Sequence, residues 1–114
     1  MQNCTFEDNL ADIGGGMRIH SSRPDLSGCT FSNNGARIVG GGIQNYQSHT
    51  ISTDCVFTQN TAAWGGGWFN VDSNPRLAGC EFRNNVANAD PMDGLVEGDS
   101  PGGAIYNFTA AGVQ

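Results

Sequence analysis

The side chains in this 114-residue chain that could do chemistry are four cysteines, two histidines and a cluster of carboxylates. Cys4, Cys29, Cys55 and Cys80 are spaced by 25, 26 and 25 residues. Thiols can pair as disulfides in an oxidising compartment or hold zinc as thiolates. Neither use suits this spacing. No Cys-x-x-Cys pair is present. Residues one full repeat apart also stack with parallel side chains, whereas a bridge needs side chains that point at each other. The expected role is a ladder of buried free thiols behaving as small hydrophobes. His20 and His49 fall at different positions of successive repeats, with no recurring Ser or Cys nucleophile beside them, and read as turn or surface residues. Asp90, Asp93, Glu97 and Asp99 share the 88–101 stretch with Pro91, Gly94, Gly98 and Pro101. Oxygens so spaced could wrap Ca²⁺, which takes roughly six to eight of them. The stretch matches neither an EF-hand loop nor the Gly- and Asp-rich nonapeptide repeat. A solvated acidic loop is therefore expected, with Asp90, Asp93 and Asp99 the calcium candidates and no other cofactor.

Acid–base catalysis would need carboxylates gathered on one face. The columns of the repeat do not supply them. Thr5, Thr30, Val56 and Glu81 form one column, and Arg18, Gln44, Phe69 and Tyr106 another. No two neighbouring repeats set acids side by side, so no catalytic residue is assigned. The net charge of −6 with five scattered arginines argues against nucleic acid, which needs clustered cations. It also fits poorly with anionic membranes, and no apolar run is long enough to span a bilayer.

The elements that position these residues follow from the period. Phe6, Phe31, Phe57 and Phe82 lie two residues after the cysteines. Asn9, Asn34, Asn60 and Asn85 come three later, and Ala11, Ala36, Ala62 and Ala87 two after that. Glycine triplets at 14–16, 40–42 and 65–67 are echoed by Gly102-Gly103-Ala104. Met17, Ile43, Trp68 and Ile105 follow, then Ile19, Asn45, Asn70 and Asn107, and Ser22, Ser48 and Ser73. Side chains alternate along a strand, so Cys and Phe of Cys-x-Phe share the inward face. One unit holds two or three short strands between Gly, Asn and Ser turns and cannot bury that face alone. It must stack on its neighbours.

The spacing predicts an all-β, right-handed parallel β-helix of about four coils with some 25 residues per coil. It forms one segment over 1–114, with coils starting near Cys4, Cys29, Cys55 and Cys80. One extra residue falls between Ala36 and Gly40, and an insertion occupies 88–101. Asn in the Asn9 column suits turns, since it tolerates left-handed backbone and its amide can bond the same amide one coil on.

Phe-x-x-Asn in all four repeats, with Gly-Gly-Ala-Ile at 102–105, resembles the repeats of chlamydial polymorphic outer membrane proteins. It equally resembles bacterial right-handed β-helix proteins of the pectate-lyase-like superfamily. The resemblance implies a structural or adhesive, non-catalytic segment of a bacterial surface or secreted protein, outside the cell or on its surface. The wider superfamily implies carbohydrate binding or processing as an alternative.

The residues add a candidate site to this reading. Arg18, Gln44, Phe69 and Tyr106 would form an outer wall where a sugar ring could stack. A glycan, a host protein or a neighbouring surface protein is the expected partner. Met1 leads straight into repeat residues, and both ends fall at strands without caps. An excerpt of a longer solenoid is expected, or failing that end-to-end stacking into a fibre.

Overall fold

A computed structural model describes residues 1–87 and 105–108. Every described element is a strand. They run β1 (Thr5–Glu7), β2 (Leu10–Ile13), β3 (Met17–His20), β4 (Asp25–Ser27), β5 (Thr30–Ser32), β6 (Gly35–Val39), β7 (Ile43–Tyr46) and β8 (Ile51–Thr53). Then come β9 (Val56–Thr58), β10 (Thr61–Ala62), β11 (Trp68–Val71), β12 (Arg76–Ala78), β13 (Glu81–Arg83), β14 (Val86–Ala87) and β15 (Ile105–Phe108). Strands four apart pair in parallel. Three sheets have the orders β1-β5-β9-β13, β2-β6-β10-β14 and β3-β7-β11-β15. A fourth, β4-β8-β12, is extended toward the N-terminus by the single bridge Gln2↔Ser27. The path is a parallel solenoid of about three complete turns, from Cys4 to Cys80, with part of a further coil described beyond.

The registers match the sequence columns residue for residue: Phe6↔Phe31↔Phe57↔Phe82, Met17↔Ile43↔Trp68↔Ile105 and Ile19↔Asn45↔Asn70↔Asn107. The extra residue of the second coil is a bulge, with Ala11 pairing Ala36 but Ile13 pairing Val39. One expectation is corrected. Each of the three complete coils has four strands, not two or three, because β4, β8 and β12 carry no recurring residue type that would have marked them.

The core runs along the axis. Cys29, Phe31, Ile43, Cys55, Phe57 and Trp68 are buried, and Cys4, Phe6, Cys80, Phe82 and Ile105 pack against them in the end coils. Phe rings of successive coils stack nearly parallel, with centroids 4.8, 4.9 and 4.6 Å apart. These distances are the inter-strand spacing itself.

Candidate functional site

The corners absorb most of the polar repeat. Asn34 and Asn60 are buried, and each side chain is fully bonded. Asn60 Oδ1 accepts from the backbone N–H and the Nδ2 of Asn34, both at 3.0 Å. Asn60 Nδ2 donates to Phe31 O at 3.0 Å and to Asn85 Oδ1 at 2.9 Å. An amide has two donor hydrogens and two acceptor sites, so the ladder uses all four. The left-handed residue of this corner is the one before the asparagine, at Asp8, Asn33, Gln59 and Asn84, where φ runs from 55° to 59°. The amide ladder was expected; the left-handed backbone is displaced by one residue.

Serines cap the next corner in the same way. Ser48 Oγ donates to Tyr46 O at 2.8 Å and accepts from the Ser22 N–H at 3.0 Å. Ser73 repeats both bonds toward Val71 O and the Ser48 N–H. The glycine triplets carry two separate demands. Gly14, Gly40 and Gly65 have φ of 65°, 68° and 62°. The second glycine instead lies against backbone: a Cβ on Gly15 would meet the carbonyl oxygens of Gly35 and Gly41 at 2.5 Å.

The four thiols are free, with Cys29 and Cys55 buried. Each sulfur lies near the carbonyl two residues earlier, as in Cys55 Sγ to Thr53 O at 3.4 Å. Cys55 Sγ accepts the Cys29 N–H at 3.4 Å. Burial pushes the Cys55 thiol above its ordinary value of about 9; the neighbouring thiols Cys80 and Cys29 add to the rise, and hydrogen bonds from Ser52 and the Cys29 backbone oppose it. A thiol so held is a weak nucleophile.

The register places Arg18, Gln44, Phe69 and Tyr106 in one column of the β3-β7-β11-β15 sheet. The exposed wall expected there is not what the side chains form. Arg18 is exposed, but Gln44 and Phe69 retain only 4% and 7% of their accessible surface. Strand alternation alone assigned them to solvent, and alternation reports direction, not cover. Among the described residues Gln44 Oε1 is the one buried side-chain oxygen or nitrogen without a hydrogen-bond partner. Tyr106 belongs to the column by its register with Phe69.

The accessible part of this face lies two residues further along, at His20 and Tyr46. Their rings stack with centroids 4.9 Å apart and 9° between planes, beside Arg18. The sequence reading missed this pair because its column is His20, Tyr46, Val71 and Phe108, with no repeated type. Same-face placement two residues from Arg18 and Gln44 was the signal that could have found it. His49 is exposed and remote in register from His20. The calcium candidates Asp90, Asp93 and Asp99, with Glu97, lie outside the described residues. Among the described residues no three His, Cys, Asp or Glu side chains are grouped to hold a metal. A shallow groove of about 610 Å³ lies on the neighbouring sheet between Leu10, Gly35, Arg37 and Thr61, with the Arg37–Asp12 ion pair at 3.0 Å along its side.

A parallel sheet of stacked short strands, joined by left-handed corners and cored by like-on-like ladders, defines a solenoid. A family model for the right-handed β-helix region matches residues 1–87, and the chain belongs to that family. No curated protein and no solved structure matches it.

Proposed function

We propose that this chain is a non-catalytic structural segment that presents an adhesive surface in a bacterial cell-surface or secreted protein. One observation carries the reading. The recurring side chains that could act chemically are committed to the frame: the asparagine amides to each other between coils, the serine hydroxyls to backbone and the thiols to the core. Exposed positions such as Arg18, His20 and Arg37 carry different residue types in successive coils. Variable residues on a rigid frame are suited to recognition. The surface setting follows from the resemblance of the repeats to bacterial passenger and adhesin repeats.

The test is adhesion with and without turnover. Beads coated with the purified chain should bind host or bacterial cell surfaces saturably, with soluble chain as competitor. A polysaccharide panel incubated with the chain should show no cleavage. Retention no better than uncoated beads, or release of new chain ends from a polysaccharide, would overturn the reading.

Carbohydrate binding is the second reading, and the stacked His20–Tyr46 rings beside Arg18 favour it. An accessible aromatic pair beside a cation suits the apolar and hydroxyl sides of a sugar. Tyr46→Ala and Arg18→Ala should then each weaken saturable glycan binding at least about tenfold, the equivalent of one lost contact near 1.4 kcal/mol. Phe69→Ala and Tyr106→Ala test the remainder of the column. Glycan titration calorimetry with no heat of binding for the parent chain would remove this reading while leaving the adhesive one intact.

A further inference from the structure

We propose that the cysteine column is a binding site for a soft, thiophilic cation, held in linear two-coordination between the sulfurs of Cys29 and Cys55. The inference is independent of the outer-surface reading above. It rests on how the thiols are set and on the distance between them.

All four thiols adopt one arrangement. Each Sγ lies against the carbonyl oxygen two residues earlier: Cys4 at 3.3 Å from Gln2 O, Cys29 at 3.6 Å from Ser27 O, Cys55 at 3.4 Å from Thr53 O and Cys80 at 3.7 Å from Ala78 O. The side chains are therefore near-copies of one another, displaced by one coil along the axis. The size of that displacement is shown by the phenylalanines two residues on, whose centroids are 4.8, 4.9 and 4.6 Å apart. Sulfurs so spaced are too far apart for a disulfide, which needs about 2 Å. Two metal–thiolate bonds of about 2.3 Å laid end to end span about 4.6 Å. The gap between neighbouring thiols is that of one metal ion.

Direction agrees with distance. The thiols point across the axis into the core, and the row of sulfurs runs along it. An ion between two sulfurs would meet each one from the side of its Cβ–Sγ bond, where the lone pairs of a thiolate lie. The parallel arrangement that defeats a disulfide is the one that suits a linear bridge.

The chemistry is a simple exchange. Two thiols lose their protons to water, two sulfur–metal bonds form, and the metal keeps its oxidation state. The Cys29 N–H, 3.4 Å from Cys55 Sγ, and the hydrogen bond from Ser52 both favour the Cys55 thiolate and support it once metal replaces the proton. Thiolates select soft ions. A divalent ion gives a neutral bridge, which fits a column packed among Phe31, Phe57 and Trp68. A univalent ion such as Cu(I) or Ag(I) would leave one negative charge there. Mercury(II) is both divalent and content with two collinear sulfurs. Zinc asks for four donors, and among the described residues no three His, Cys, Asp or Glu are grouped to begin such a set.

The test adds mercury(II) to the reduced chain before refolding from urea, so that entry into a closed core does not limit uptake. Loosely held ion is then washed out with a monothiol, metal is counted per chain, and X-ray absorption reads the number and distance of sulfur neighbours. Two double variants carry equal numbers of thiols. Cys4→Ala with Cys80→Ala leaves Cys29 and Cys55 in neighbouring coils, whereas Cys4→Ala with Cys55→Ala leaves Cys29 and Cys80 two coils apart. The first should retain one ion per monomeric chain, with two sulfurs at about 2.3 Å and the circular dichroism of the metal-free chain. The second should hold mercury at least about a hundredfold more weakly against the monothiol, because one ion cannot reach both sulfurs. If the second fails to fold, Cys29→Ala with Cys80→Ala makes the same separation. The parent chain, which needs no substitution, should show the same two-sulfur signature. Equal retention by the separated and neighbouring pairs, a third sulfur neighbour, an ion that joins two chains, or a parent chain stripped by the wash overturns the proposal.

Discussion

Asn60 and Cys55 sit at equivalent depth in the same coil, yet their side chains are held by opposite means. Asn60 is kept by four hydrogen bonds, and removing them leaves its neighbours unpaired. Asn60→Ala strands the Asn34 amide and the Phe31 carbonyl in the core, at about 1–3 kcal/mol for each unsatisfied group. A loss of roughly 3–5 kcal/mol in urea unfolding is expected, enough to threaten a domain with marginal stability. Asn60→Asp should cost more at neutral pH, because it loses both donors and buries a carboxylate. Cys55 is kept by packing, and its effect is a pH dependence. Its folded thiol ionises above its ordinary value because burial disfavours the thiolate. Below about pH 9 the thiol is protonated in both states and the stability is complete; above it the unfolded state alone releases the proton and stability falls. Thermal melts should show a decline above about pH 9 that is smaller in Cys55→Ala, once the constant cost of the cavity is subtracted.

At the scale of elements, the corners decide more than the strands, which are only two to five residues long. Gly41 shows why. A Cβ there would collide with the Gly66 and Thr61 carbonyl oxygens, which are backbone and cannot move aside. Gly41→Ala should therefore lower stability by about 3 kcal/mol, the upper range for overpacking, as measured by chemical unfolding. Leu10→Ala, at an exposed position, should stay within about 0.5 kcal/mol. The glycine, asparagine and serine corners were legible as columns because each repeats one residue type. The fourth strand of each coil was not. Leu26, Ser52 and Leu77 share its inward column, and a hydroxyl stands between two leucines because Ser52 Oγ and its carbonyl meet the Cys80 thiol at 3.4 and 3.2 Å. A local polar contact satisfied the position, and the column lost its signature.

For the whole molecule, a solenoid's stability is a sum over coils and the interfaces between them. Position along the axis should then scale the cost of one and the same substitution. Phe57 stacks on Phe31 and Phe82 and meets the edge of Trp68 at 5.3 Å. Phe57→Ala should cost about 3–5 kcal/mol. Among the described residues Phe6 stacks on one ring, so Phe6→Ala should cost roughly half as much. Equal losses at the two positions would argue against ring stacking as the main source of the stability these side chains supply.

The sequence by itself determined the period, the parallel register and the identity of the core ladders. A like residue recurring every 25 or 26 positions can be satisfied in one way, by lying against its own equivalent a strand's width away. Tertiary structure alone decided the cover of the outer face. Gln44, Phe69 and Arg18 share a column and a direction, yet two are buried and one is open. Direction is a local consequence of strand alternation, but burial depends on what else lies against the sheet, and no repeat encodes that. The same separation explains why the candidate surface moved from Phe69 to His20 and Tyr46.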